Sequence, residues 1–422
     1  MKLFRYTNII LVLLIALNAF VLVGCKNGSF GEDLGTSVEP TPVTTLPPNR
    51  HPADFVKFYK STEPRELYVP IEEIMDYESK YPDCNGTWYR NQLSGEDLLI
   101  YNSYLYAMEN QYIHFTVFVE DNTKDFKYIR EYLSLDSPFL EQNYNDYGEW
   151  ITKEPVSHHG KSMYFAMDQF TMSRWKMKME ALEKCREVVA GIPGECKTLL
   201  KKMEYLYDYV CDHVEYVKYE SMADESYFYD AVINGKTVCD GYSNMLNLLF
   251  NLIGVECCEA MGSDIEDISQ ATPEEIENSN GHTWVVAKVD GEFYNFDVTF
   301  DDSGDGTKKT KKYFGISDQI VGVKYIDYEE IRPKCTNTSR DYNYADLVVS
   351  TKSGTEEKIA NSIKKHFSDN NTEFYLVINE IISTSEANKY IDSVFANIYL
   401  KKDVMATWVC DKKSTIFCFS TD

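Results

Sequence analysis

An Asp290-Gly291 step between two β-prone runs constrains this chain more than any other feature. A two-residue hairpin turn of this kind needs positive φ, and Asp-Gly adopts it at low cost. The flanking runs are His282-Thr283-Trp284-Val285-Val286-Ala287-Lys288-Val289 and Glu292-Phe293-Tyr294-Asn295-Phe296-Asp297-Val298-Thr299-Phe300. Such a turn pairs Val289 with Glu292, which puts His282 opposite Thr299 and Trp284 opposite Asp297. Side chains alternate faces along a strand. His282, Trp284, Asp297 and Thr299 then share one face. Val285, Ala287, Val289, Tyr294, Phe296, Val298 and Phe300 form the other, more apolar one. His282 and Asp297 become diagonal cross-strand neighbours, roughly 7 Å apart at the backbone and within side-chain reach. A slip of one residue would part them onto opposite faces. In this register Asp297 can orient the imidazole and stabilise its charged form.

Upstream, Asn234-Gly235-Lys236-Thr237-Val238-Cys239-Asp240-Gly241-Tyr242-Ser243 leads into a helical apolar pattern. Tyr242, Met245, Leu246, Leu249, Leu252 and Ile253 carry it to Gly254, a suitable helix terminator. Cys239 therefore falls in the first turn of a buried helix. Free amides at a helix N-terminus stabilise an anion, which predicts a lowered thiol pKa and part of an oxyanion hole. Position alone leaves a core cysteine and a structural histidine as alternatives. Taken together, the residues supply a nucleophile, a base and an orienting acid.

Residues about 198–321 resemble the transglutaminase-like superfamily, a branch of the papain-like cysteine enzymes. The resemblance rests on a tyrosine-rich helix ending near Val214, the Gly235-Lys236-Thr237-Val238-Cys239-Asp240-Gly241-Tyr242 block, Gly281-His282-Thr283-Trp284, and Tyr294-Asn295-Phe296-Asp297-Val298-Thr299. The family order of Cys, His and Asp maps onto Cys239, His282 and Asp297. Phe300 departs from the pattern, since many members carry tryptophan there. The resemblance implies an α+β fold, a papain-like transglutaminase core with the Cys-bearing helix on an antiparallel sheet. N-terminal and C-terminal α/β regions flank it. It also implies acyl transfer through a Cys239 thioester, resolved by water or by an amine. Peptides or proteins, including peptidoglycan stem peptides, are the implied substrates, and no cofactor is implied. The alternative is a surface binding or adhesion protein whose domain has lost catalysis.

The N-terminus reads as a targeting signal. Lys2 and Arg5 precede an apolar stretch from Ile9 to Gly24, broken only by Asn18. The stretch is short for a membrane span, which needs about 20 apolar residues. It ends in Leu22-Val23-Gly24-Cys25, which resembles a bacterial lipobox with Cys25 as the lipidated residue. Residues 1–24 are then a signal peptide. Residues 25–50, with Pro40, Pro42, Pro47 and Pro48, form a tether outside the membrane. The net charge of −25 disfavours nucleic acid and anionic lipid as partners.

The remaining pattern divides into a mixed α/β region over 51–170, the transglutaminase-like region over 171–335, and a small α/β unit over 340–422. In the first, Ser94 and Asp97 are set to cap a helix to about Asn110, with Leu98, Tyr101, Leu105 and Met108 on one face. Strands are expected at Ile113–Val119 and Met163–Met167. Helices over 172–216 break near Gly191-Ile192-Pro193-Gly194, and Leu199, Met203, Leu206 and Val210 form a core stripe. In the last unit, strands are expected at Ala345–Ser350, Glu373–Ile378, Ala396–Tyr399, Ala406–Cys410 and Ser414–Phe419. Helices are expected around Glu356–Phe367 and Ser385–Val394. Of the 11 cysteines, Cys410 and Cys418 are placed to bridge neighbouring strands. No CxxC pair exists, so a structural zinc site is not expected. His158-His159 reads as loop. Asp301-Asp302-Ser303-Gly304-Asp305-Gly306 lacks the glutamate of a calcium loop, with Lys312 at the twelfth position, and reads as a solvated turn. Ser263–Asn280 reads as an acidic loop before His282.

Overall fold

Alternating Val56 and Phe58 on a strand at Phe55–Lys60 (β1) turn one face of the first sheet inward, and both are fully buried. The computed structural model describes residues 42–60, 63–119, 127–140, 162–166, 175–218, 227–263, 281–302, 311–321, 326–327, 331–369, 371–398, 404–410 and 414–421. Residues 1–24, Cys25, the tether up to residue 41, His158-His159, nearly all of Ser263–Asn280 and residues 303–310 lie outside that set.

β1 pairs antiparallel with Glu63–Pro70 (β2), Val56 against Val69. A short helix, Ile71–Met75 (α1), precedes Gly95–Glu109 (α2). His114–Phe118 (β3) pairs with β1, Phe115 against Phe58. Lys127–Asp136 (α3) and Ser162–Ala166 (β4) complete the region, in strand order β2-β1-β3-β4. α2 follows the expected span, but Ser94 makes no side-chain cap bond. Nor is one face buried alone: every residue from Leu99 to Glu109 is buried. The helix touches α1, α3 and β3, so it needs apolar or satisfied side chains all round. Its polar residues are accordingly paired. Asn102 donates to Ile74 O at 2.9 Å, and Glu109 accepts from Tyr77 Oη at 2.6 Å and Lys80 N at 2.9 Å.

Trp175–Ala190 (α4) and Leu199–His213 (α5) flank the Gly-Pro-Gly break, and Thr198 caps the second by accepting from Lys201 N at 3.2 Å. Met203, Leu206 and Val210 are buried as expected. Leu199 is 42% exposed, because the first turn of α5 projects past the core. One core joins Phe58, Tyr106, Leu182, Leu206, Met245, Leu249 and Phe296, and so runs across residue 170 without a break.

Glu215–Tyr216 (β5) and Lys236–Thr237 (β6) form a small parallel pair ahead of the long helix Cys239–Leu252 (α6). The second sheet then follows: Cys257–Ser263 (β7), Gly281–Val289 (β8) and Glu292–Phe296 (β9). A helical turn at Val298–Asp301 (α7) leads to Phe314–Ile316 (β10), and Ile326–Asp327 (β11) closes the sheet in the order β10-β9-β8-β7-β11. Its pairings are all antiparallel. Val285, Ala287, Val289, Tyr294 and Phe296 face α6 and the main core. Trp284 and Val286 face a smaller cluster with Tyr89, Cys258, Ile316 and Cys335. This is the expected α+β arrangement, a Cys-bearing helix packed on an antiparallel sheet.

The C-terminal unit has a core of its own. Leu347–Val349 (β12), Glu356–Ser368 (α8) and Glu373–Ile378 (β13) make a parallel crossover; Thr384–Ala396 (α9), Met405–Cys410 (β14) and Thr415–Ser420 (β15) follow. The order is β12-β13-β15-β14. The strand expected at Ala396–Tyr399 does not form over the described part. A Ser383–Glu386 capping box starts α9, and its buried stripe of Ala387, Tyr390, Ile391 and Val394 keeps helical spacing to Ala396. Cys410 and Cys418 are both free. Register opposes Cys418 to Thr407 and Cys410 to Thr415, so the two cysteines are not cross-strand neighbours. Among the described residues no helix is long and apolar enough to cross a membrane.

Candidate active site

The site forms where α6 begins. β5 and β6 pair Tyr216 with Thr237, and Val217 N donates to Thr237 O at 3.0 Å. That pairing delivers Cys239 as the first residue of α6, with Val238 in extended backbone as its N-cap. Gly241 allows the close approach. A Cβ there would stand 2.3 Å from Thr237 Oγ1 and 2.5 Å from Tyr227 O. β8 holds the other side: Ser243 Oγ donates to Asp240 O at 2.9 Å and to Thr283 Oγ1 at 3.0 Å, one hydroxyl shared between two acceptors.

Cys239 is 8% exposed, and its thiol lies 3.5 Å from Asp240 Oδ2. Burial pushes this thiol up, and the Asp240 carboxylate adds to the effect; hydrogen bonds from Thr283 offset part of it. The expectation of a lowered thiol pKa is therefore corrected for the resting chain. A helix terminus stabilises a thiolate only through its own partial charge. Here a closer full carboxylate and an almost closed surface outweigh it.

His282 is 5% exposed, and its Nε2 donates to Asp297 Oδ2 at 2.7 Å; Asp297 is 1% exposed. Its ring stacks on Phe300 at 4.5 Å between centroids and lies 6.1 Å from Trp284. Trp284 is itself fixed, since Nε1 donates to Asn295 Oδ1 at 2.8 Å. Asn295 in turn donates to Ile316 O and to Asp318 Oδ1, each at 3.1 Å.

The hairpin register is as read, from Val289–Glu292 to Val285–Phe296. The second strand is shorter than expected. The ladder ends at Phe296, and Asp297 becomes the N-cap of α7, with Oδ1 accepting from Phe300 N at 3.2 Å. Thr299 therefore does not pair with His282. Phe300 leaves the apolar face and comes over the imidazole. Asp is a preferred N-cap, and that preference ends the strand here. The carboxylate still reaches His282 through its other oxygen.

The backbone of Asp297 is pinned on both sides. Its N donates to Tyr313 O at 3.0 Å. Its O lies 2.8 Å from Tyr207 Oη, which also lies 2.7 Å from Asp301 Oδ2. Asp301 is buried, not part of a solvated turn, and accepts from Lys312 N at 2.8 Å and Tyr313 N at 2.9 Å. Among the described residues, no group of three or more His, Cys, Asp or Glu is arranged to hold a metal ion.

Four neighbours were not singled out from sequence. Tyr207 is one, although its place beside Met203, Leu206 and Val210 on α5 marks it as buried. Thr283, alternating out of phase with His282, is another. Asp240 was read only as part of the motif. Tyr216 is 50% exposed yet close enough to Cys239 and Asp240 for their charges to raise its phenol pKa, after burial. Its ring lies 6.2 Å from Tyr242.

The family profile of the transglutaminase-like superfamily matches residues 186–298, which include Cys239, His282 and Asp297. The human Kyphoscoliosis peptidase is 24% identical over 144 residues, covering 33% of this chain and 22% of that protein. The chain thus spans well under two thirds of that relative. A candidate cysteine protease from Cytophaga hutchinsonii is 15% identical, with a TM-score of 0.22 over 29% of this chain and 37% of its own. A transglutaminase structure is 15% identical, with a TM-score of 0.24 over 36% of this chain and 44% of its own. Residues 186–298 thus form a transglutaminase-like region within the chain.

Proposed function

We propose that this chain is a lipid-anchored, extracytoplasmic cysteine enzyme that cleaves or transfers amide bonds in peptides or proteins, such as peptidoglycan stem peptides. The observation that carries the reading is the buried 2.7 Å His282–Asp297 pair set beside the first turn of α6. Asp297 accepts a hydrogen bond from Nε2–H, which leaves the basic lone pair on Nδ1. Cys239 Sγ attacks the amide carbon and its proton passes to His282. The imidazolium then protonates the departing amine, leaving a thioester on Cys239. Water completes hydrolysis; an amine completes transfer. Asp297 and the stacked Phe300 hold the ring in place between these steps. Tyr216 offers the acyl group an exposed aromatic contact beside the thiol. The peptidase name of the human relative supports hydrolysis. Lys2, Arg5 and the Leu22-Val23-Gly24-Cys25 run support export and lipidation at Cys25. The partners are then a membrane, through that lipid, and the peptide substrate.

The raised Cys239 thiol favours a second reading, a surface binding protein built on a silent domain. One experiment separates them. Full-length chain is mixed with a cell-surface peptide extract, quenched in acid and digested, and the Cys239 peptide is weighed by mass spectrometry. An acyl adduct that disappears in Cys239→Ala, and fails to form in His282→Ala, supports the enzyme. An unmodified Cys239 across a broad amide library, with peptide binding unchanged in Cys239→Ala, supports the silent domain.

A further inference from the structure

The two charged partners of the thiol–imidazole pair do not balance. His282 faces Asp297, so an imidazolium and that carboxylate neutralise each other. Asp240 adds a second carboxylate 3.5 Å from the nucleophile. Among the described residues its carboxylate is bonded by the Cys239 thiol and by its own backbone N–H, and the one cation whose charge reaches it is His282. The lysine nearest in sequence, Lys236, is 3.2 Å from Glu215 and engaged there. Asp240 also keeps part of its surface open. Ser243 ties its backbone oxygen to Thr283, which fixes the residue beside the thiol.

We propose that Asp240 is a specificity residue that receives a cationic group, so that preferred substrates or amine acceptors present an ammonium or guanidinium next to the reacting amide. The proposal rests on the cysteine-enzyme reading and names its substrate class. A substrate cation placed on Asp240 supplies a positive charge that, among the described residues, only His282 brings to it. It also removes the carboxylate's opposition to a thiolate, so correct binding activates the nucleophile. A neutral or acidic substrate leaves that opposition in place.

The test needs no knowledge of the natural substrate. Three methanethiosulfonates with the same reactive group carry a trimethylammonium, a sulfonate or no charge. Their rates at Cys239 of the full-length chain are read by mass spectrometry of the Cys239 peptide. Salt of ~0.5 M screens the protein's general negative charge, while a contact carboxylate is screened far less. The cationic reagent should outpace the anionic one by about tenfold more than it does on a cysteine in a neutral peptide. Asp240→Asn should remove that excess and Asp240→Glu should restore it. The same ratio in Asp240→Asn and the parent chain overturns the proposal. If Asp240→Asn does not fold, a parent ratio equal to that of the free peptide overturns it instead. Failure of the enzyme reading looks different: all three rates then stay unchanged in His282→Ala, whatever their ratio.

Discussion

Replacing Gly241 by alanine tests how tightly the start of α6 is built into the site. In an exposed helix interior this change stabilises by about 1 kcal/mol, because glycine loses more backbone freedom on folding. Gly241 is the third residue of α6, and its surroundings reverse the sign. The new methyl carbon would stand 2.3 Å from Thr237 Oγ1, 2.5 Å from Thr237 Cγ2 and 2.5 Å from Tyr227 O. Thr237 is fully buried, and Tyr227 contributes backbone, so neither obstacle is the loose end of a flexible side chain. Overpacking of this kind costs about 1–3 kcal/mol, and a backbone obstacle puts the cost at the upper end. Set against the propensity gain, the net loss is about 2 kcal/mol. Urea denaturation at a common m-value reads it as a lower midpoint. Gly194→Ala is the control, since nothing lies within 4 Å of the added carbon there. A Gly241→Ala chain as stable as the parent would refute the close-approach argument. It would also remove the reason given for this glycine following Cys239-Asp240.

Three further outcomes follow from the same geometry. Alkylation of Cys239 by neutral iodoacetamide in the substrate-free chain should keep rising through pH 9.0, the ordinary thiol value, because burial and Asp240 hold the thiol protonated. A flat plateau between about pH 5 and 7, the mark of a resting thiolate, would contradict this. Asp136 is buried and its carboxyl is pushed up to about 6 from 3.8, burial outweighing the bonds from Arg90 N, Tyr89 N and Tyr101 Oη. The folded state therefore holds a proton the unfolded state has lost. That contribution, on the order of 3 kcal/mol, is complete below the unfolded value and is lost as pH rises through the folded one. Urea melts of the parent minus Asp136→Asn, taken from about pH 4 to 6.5, should show the difference shrinking with pH; a constant difference would count against it. Asp297→Asn keeps a good helix cap but no charge, whereas Asp297→Ala loses both, so the second should lower stability further than the first, by about 1 kcal/mol for the cap. Both should lose acylation of Cys239, and an Asp297→Asn chain with full acylation would show that the carboxylate charge is dispensable.

The sequence made the hairpin legible because a two-residue turn admits one register, and Asp290-Gly291 marks where it falls. Cys239 was placed on a helix start because an apolar repeat begins just after it. What could not be read came from competition between local preferences and from long-range contacts. The period-2 pattern runs on through Phe300, yet Asp297 finds a helix cap before the strand can continue. Nothing local announces that Tyr207, 90 positions earlier, will hold the same residue's carbonyl. The thiol's environment differs from the sequence expectation for a related reason. The helix start is a property of sequence, whereas the burial and the Asp240 charge that oppose a thiolate belong to the folded surroundings, and Thr283 on β8 offsets only part of them. In α9, the capping box outweighed the strand-like appearance of Ala396–Tyr399.

The early end of β9 is what makes the proposed site workable. Had the strand continued, Phe300 would lie on the face that packs against α6, and His282 would have Thr299 opposite it. Ending the ladder at Phe296 gives the two oxygens of Asp297 separate tasks: Oδ2 holds the imidazole, and Oδ1 starts the turn that carries Phe300 over it. The orienting acid and the ring that covers the base therefore depend on the same residue. Tyr207 and Tyr313 fix the backbone of that residue from α5 and from the segment before β10. Movement of α5 would thus reach His282 through one peptide unit, without passing through Cys239. The nucleophile is held separately, by Thr237 and Gly241 on one side and Thr283 on the other. The two halves meet at adjacent residues of β8, His282 and Thr283, so the strand joins base and nucleophile in a way that hairpin register alone does not reveal.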